Sequence, residues 1–175
     1  MNRKSSPQEV HFITTTVVNW MDVFIRREYN DFIIESLDYC IQHKGLEVYA
    51  YALMTNHLHL IVRSRESPLS SVVRDFKTYT SKQLFDMIAR NKKESRRNWL
   101  IETFESETSV NKLNKYHQFW QNTYHPVLLF SNGVIKQKMD YVHENPVRAG
   151  FVSSPEHYYY SSAHPQNPLG IKIEL

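Results

Sequence analysis

Residues 46–63 read LEVYAYALMTNHLHLIVR, two runs of strand-forming residues joined at Thr55-Asn56. Leu46 to Met54 reads as one strand and His57 to Arg63 as the next, with Thr55-Asn56 as a two-residue turn, so the pair predicts an antiparallel hairpin. Side chains on a strand alternate between its faces, so His57 and His59 point one way and Leu58, Leu60 and Val62 the other. The aliphatic set calls for a cover of helices. The two imidazoles sit on the opposite face.

The flanking sequence supplies that cover. His11 to Val18 (HFITTTVV) reads as a first strand. From about Glu28 to His43, Phe32, Ile33, Leu37, Cys40 and Ile41 recur at helical spacing, and Lys44-Gly45 is a C-terminal stop. Leu69, Val72, Val73, Phe76, Thr80, Leu84 and Met87 mark a long amphipathic helix that leaves Arg74, Lys77 and Ser81 together on a polar face. Residues 89–115 are polar and poorly periodic, with a short helix around Trp99 to Phe104, and read as an insertion. Phe119, Trp120 and Val127 to Phe130 contain a further strand. Asn132 then caps a helix that reaches about Asn145, where Pro146 stops it. The order strand, helix, strand, strand, helix, strand, helix is that of a ferredoxin-like (split βαβ) α+β fold, an antiparallel sheet with helices on one face and an additional C-terminal helix. On this reading residues 1–10 are a flexible tail, 11–152 one domain and 153–175 a C-terminal tail without clear period.

At 175 residues, 41% of them hydrophobic and 13% aromatic, the composition fits one folded domain with a real core. No run approaches the ~20 apolar residues of a membrane span, and Met1 to Pro7 has basic residues with no apolar signal core behind them, so the expected location is cytoplasmic. The single cysteine, Cys40, falls at an apolar-periodic position and reads as core. A net charge of +3 supports nucleic-acid binding only weakly. Its distribution says more: Arg90, Lys92, Lys93, Arg96 and Arg97 cluster around Glu94, either as a phosphate-binding patch or as a solvated surface.

Two imidazoles on one strand face can chelate a metal, although half-buried or surface histidines give the same pattern. Tyr141 and Asn145 lie one helical turn apart, on one side of the last helix. Asn145 either ends that helix before Pro146 or adds an amide oxygen to the imidazole pair. The resulting two-His, one-oxygen set with open positions suits Mg2+ or Mn2+. Tyr141 is one of 11 tyrosines, most of which must be packing residues, but a tyrosine beside such a site can attack a phosphodiester and hold the product as a phosphotyrosine. Arg148, just past the helix, either binds phosphate or pairs with a surface carboxylate. His125 and His143 are nearby candidates for proton transfer, with His143 turned away from the Tyr141 face.

Three stretches in this order, MTNHLHLIV, FWQNTYHP and DYVHENPVRAGFV, closely resemble the REP-associated tyrosine transposases, members of the wider HUH (His-hydrophobic-His) group of single-strand nucleases. The resemblance spans roughly His11 to Phe151. It implies that His57, His59 and Asn145 are the metal ligands and Tyr141 the nucleophile. It also implies a single-stranded DNA substrate, often with hairpins at element ends, and a ferredoxin-like core. The wider group often uses Gln as third ligand, so Asn145 follows the REP-associated pattern. The implied activity is transposition, by cleaving and rejoining single-stranded DNA through a 5′-phosphotyrosine with Mg2+ or Mn2+. The expected contacts with DNA are Arg74, Lys77, Arg96, Arg97 and Arg148, and a monomer is favoured over a homodimer. A non-catalytic module for structured nucleic acid and a metal hydrolase that attacks with water are the alternatives.

Overall fold

The computed structural model describes residues 9–110 and 117–172. The elements run β1 (His11–Thr16), α1 (Arg27–His43), β2 (Leu46–Leu53), β3 (His57–Ser64), α2 (Leu69–Arg90), α3 (Arg97–Val110), β4 (Val127–Leu128) and α4 (Asn132–Arg148). The strands form one sheet in the order β2-β3-β1-β4, with every neighbouring pair antiparallel. This is the ferredoxin-like arrangement expected from the sequence.

The period of two in β3 divides the protein into two layers. Leu58, Leu60 and Val62, with Ile13 of β1 and Leu53 of β2, face a large core filled by Ile33 and Leu37 of α1 and by Val72, Val73 and Phe76 of α2. On the other face Ile61, Ala50 and Ala52 meet Met139 and Val142 of α4. The alternation in the β2 stretch YAYAL has a packing reason. Tyr51 and Leu53 fill the large core, while the alanines between them let α4 close on the sheet.

Helix ends carry local signals. After α1, Gly45 adopts φ +64, and a Cβ there would meet the Glu66 side chain at 2.8 Å, so only glycine fits without displacement. At the start of α4 the cap is Ser131, whose hydroxyl accepts the Val134 amide, in place of the expected Asn132. Pro146 does not stop this helix, which continues to Arg148. A proline removes one amide donor and restricts the residue before it, yet two residues from the end that loss is offset by the closure that follows. Gly150, at φ +77, donates to the Val147 carbonyl, and the Phe151 amide donates to that of Pro146, a Schellman closure.

Between residues 119 and 130 strand pairing is confined to Val127–Leu128, with Trp120 making an isolated bridge to Val17. The polar stretch after α2 contains a longer helix than the periodicity indicated. Leu100 and Phe104 of α3 are fully buried, and Phe104 stacks on Phe119 with ring centroids 4.9 Å apart. Residues 111–116, like 1–8 of the expected N-terminal tail, lie outside the described residues. The C-terminal segment follows the free edge of β2: the Leu53 amide donates to Tyr160, the Ser162 amide donates to Tyr51, and the Tyr158 hydroxyl donates to the Leu53 carbonyl. No helix among the described residues is long and apolar enough to cross a membrane.

The connection from α2 to α3 is tied to the start of α1 by a buried carboxylate. Glu94, its side chain fully shielded from solvent, accepts Arg26 Nε at 2.6 Å and Arg96 Nε at 3.1 Å. Burial pushes the Glu94 carboxyl up, but the hydrogen bonds from Arg26 and Arg96 outweigh it and hold the group below the usual carboxylate range of 4.5. A depressed acid stabilises the fold above its unfolded pKa, and that contribution fades as pH falls through its folded pKa. Glu94→Gln is expected to cost about 2 kcal/mol at pH 7, less than a fully buried broken pair because both guanidiniums reach water. In urea titrations the gap between variant and parent should close as pH falls below 4.5. A gap that stayed constant down to pH 3 would rule out this role for the carboxylate.

Candidate active site

Cross-strand register sets the site. His59 of β3 lies opposite Thr14 of β1 and Ala52 of β2, and His57 lies opposite Thr16, so both imidazoles emerge on the face covered by α4. Their Nε2 atoms are 3.1 Å apart.

Each ring is fixed from behind. His57 Nδ1 is 2.6 Å from Asn56 Oδ1, and the Asn56 amide nitrogen donates to the Trp20 carbonyl and to Asp22 Oδ1. With its NH2 group so engaged, Asn56 offers His57 only an acceptor, which keeps the proton on His57 Nδ1 and frees the Nε2 lone pair. His59 Nδ1 lies 2.8 Å from the Thr14 hydroxyl. Both imidazoles are held neutral. For His59, burial, then His57, then the positive charge of Lys138 push the pKa down to about 3, opposed by the nearby Asn145 amide. For His57 burial lowers it and Asp22 opposes.

These atoms fit a divalent cation. Two nitrogens about 2.1 Å from one ion and at right angles to each other would be about 3 Å apart, and the Nε2 separation matches that. The backing of each Nδ1 by Asn56 and Thr14 is the support that metal-binding histidines require. Among the described residues no three His, Cys, Asp or Glu side chains cluster to hold a metal, so a third protein ligand would have to be an amide or hydroxyl. The side chain beside His59 that could supply one is Asn145, close enough to act on the imidazole's titration.

Tyr141, half-buried on α4, completes the group. Its ring centroid is 5.7 Å from that of His59, and Phe12 of β1 packs edge-on against it at 6.0 Å. Two cations flank the phenol: Lys138 Nζ is 4.8 Å from the ring centroid and the Arg148 guanidinium carbon 5.5 Å. His57, His59, Asn145, Tyr141 and Arg148 are therefore assembled by one chain.

The other residues singled out in the sequence lie elsewhere. Arg74 and Lys77 sit on α2, which covers the opposite face of the sheet. Arg96 is engaged with Glu94 and donates to the Asp22 carbonyl, bracing the loop that orients Asn56. Arg97 bonds only weakly to Asn98, and His125 is exposed in the loop before β4. His143 turns away from Tyr141 as expected, and its Nε2 lies 2.8 Å from Ser162 Oγ in the C-terminal segment. Sequence reasoning missed Thr14, Asp22, Asn56 and Lys138. The signals were local: Asn56 adjoins His57, and Lys138 lies one turn before Tyr141.

Comparison with known proteins fits this geometry. A family model described as transposase IS200 like matches residues 5–118, a stretch that holds both histidines and ends before α4. Among solved structures, one of a REP-associated tyrosine transposase bound to a REP hairpin is similar over 100% of this chain and 93% of that one, with TM-score 0.64 and 16% sequence identity. At that identity the likeness shows the fold. No match was found among curated proteins.

The contact between His143 and Ser162 docks α4 on the tail. Ser162 Oγ also accepts the buried Tyr51 amide at 3.0 Å, so losing the hydroxyl strands two polar groups. Ser162→Ala is expected to cost about 2 kcal/mol in urea denaturation, and a loss under about 0.5 kcal/mol would mean that solvent replaces the hydroxyl.

Proposed function

The chain belongs to the IS200-like transposase family, and on that footing we propose that it cleaves and rejoins single-stranded DNA through a covalent 5′-phosphotyrosine at Tyr141. One observation carries the reading: α4 carries Tyr141 and Asn145 one turn apart on the face that covers the imidazole pair, with the Tyr141 ring packed beside His59. A binding module has no need of that set.

In the proposed reaction the phenol oxygen of Tyr141 attacks the phosphorus of the scissile diester. The new oxygen–phosphorus bond forms as the bond to the 3′ oxygen breaks; the phenol loses its proton and the departing strand ends in a 3′ hydroxyl. Because one phosphodiester replaces another, a second 3′ hydroxyl can reverse the step without a nucleotide cofactor. His57, His59 and Asn145 would hold Mg2+ or Mn2+, which when bound polarises the scissile phosphate. Lys138 and Arg148, beside the nucleophile, place positive charge where the phosphate must sit. They would act without proton transfer, by orienting the anion against Tyr141.

The hairpin in the solved REP-associated structure supports hairpin-bearing DNA ends as the substrate. That all the groups come from one chain supports a monomer as the active unit, working in the cytoplasm where such DNA is found. Attack by a bound water is the rival reading, and under it Tyr141 would be dispensable.

The deciding experiment incubates the protein with end-labelled hairpin oligonucleotides from the flanks of its own gene, in Mn2+ or EDTA, followed by denaturing electrophoresis. A Mn2+-dependent protein–DNA adduct is expected, absent in Tyr141→Phe and in His57→Ala/His59→Ala. Cut product without adduct, undiminished in Tyr141→Phe, would replace this mechanism with hydrolysis. Lys138→Gln is expected to slow adduct formation about 100-fold, the lower end of what losing one electrostatic contact to a developing charge costs. An unchanged rate would remove Lys138 from the site.

A further inference from the structure

On the opposite side of the sheet from Tyr141, a groove of about 830 Å³ runs between α2 and residues 117–124. Its floor includes Phe119 and Trp120. One wall carries Phe85 and His117, stacked nearly parallel with centroids 4.2 Å apart and planes 12° apart. Along the α2 side Arg74, Lys77 and Lys82 line the groove; Asp86 is the one acidic lining residue, and Arg74 also pairs at its surface with the adjacent Asp75. The Lys77 ammonium donates to the carbonyls of Gln121 at 2.6 Å and Thr123 at 3.3 Å. Both acceptors are neutral, so they fix the ammonium in place without cancelling its charge.

We propose that this groove binds an unpaired segment of the DNA strand, its phosphates on Arg74, Lys77 and Lys82 and a base against the Phe85–His117 stack. Rows of cations beside flat aromatic faces suit single-stranded nucleic acid, since every base has a face to stack and every linkage a charge to neutralise. A duplex keeps its base faces covered and leaves the aromatic wall unused.

Continuity with the site favours the same strand as occupant. The groove's outer wall is hydrogen-bonded to β1 at its end, with the Gln121 amide donating to Thr16 and the Val18 amide to Phe119. Thr16 is the cross-strand neighbour of His57. A strand leaving the imidazole pair past the C-terminal end of β1 thus meets this segment. The proposal rests on the single-stranded DNA reading for the identity of its ligand, and it requires no cleavage.

The test measures binding in EDTA, by fluorescence anisotropy, of a labelled 20-nucleotide oligothymidine and a blunt duplex of the same length. The oligothymidine is expected to bind at least 10-fold more tightly. Arg74→Glu/Lys82→Glu, two exposed positions whose exchange leaves the core intact, should weaken it at least 10-fold and flatten the salt dependence by about 1.4 in log K against log salt, the contribution of two single-strand phosphate contacts. A 2-aminopurine placed in the strand should be quenched on binding, and His117→Ala should relieve the quenching. Equal affinity for duplex and single strand, or unchanged affinity in the double variant, overturns the proposal. Tyr141→Phe separates the two readings: it should abolish the adduct and leave this binding untouched, so a parent protein that binds but forms no adduct removes the covalent mechanism while the groove stands.

Discussion

Everything in this molecule depends on the alternation within β3. A strand of period two buried on both faces must put two different chemistries on those faces, and here one is aliphatic and the other holds imidazoles. A slip of one residue in its pairing would exchange them, driving both histidines into the large core and exposing Leu58, Leu60 and Val62. The register is thus enforced by the hydrophobic core, and the site inherits its geometry from a constraint that has nothing to do with DNA. The same burial keeps the imidazoles neutral, the protonation state that metal ligation would require.

The second face is assembled from small choices. Ala50 and Ala52 lower the surface of β2, α4 settles onto it through Met139 and Val142, and that seating sets the height at which Tyr141 and Asn145 reach the imidazoles. The end of α4 is equally determined. Pro146 falls close enough to the terminus to be tolerated, and Gly150 takes the left-handed turn that closes the carbonyls. Arg148, carried between them, is thereby held against the Tyr141 ring.

What the sequence made legible were the features with strong local periodicity. The hairpin around Thr55-Asn56, α1 with its Gly45 stop, and the long α2 all announce themselves, and the paired histidines follow from strand parity alone. The family resemblance joined Tyr141 and Asn145 to them. Features set by distant contacts were hidden. The pattern of α3 is weak because, among its described side chains, Leu100 and Phe104 are the fully buried anchors and Ile101 adds only a partial one, too few for a clear stripe. Glu94 looked like an interruption in a basic surface and is instead the buried centre that holds Arg26 and Arg96. Arg96 accordingly braces the Asp22 loop, something a run of charges does not disclose. Strand assignment across 119–130 was too long because Phe119 and Trp120 turn their rings into the core and make only an isolated bridge to Val17 in place of a continuous strand.

The C-terminal segment looked featureless, having neither helical nor strand period, yet it lies along the end of the β2 edge at Tyr51–Leu53. An open strand edge is a template on which another chain can add itself, and proteins with such edges are prone to polymerise into cross-β aggregates. By occupying the amides of Leu53 and Tyr51, residues 158–162 act as a permanent plug on that template. The polypeptide that follows α4 therefore shields a strand edge, and a truncated product lacking it would keep the same site residues while exposing a template for aggregation.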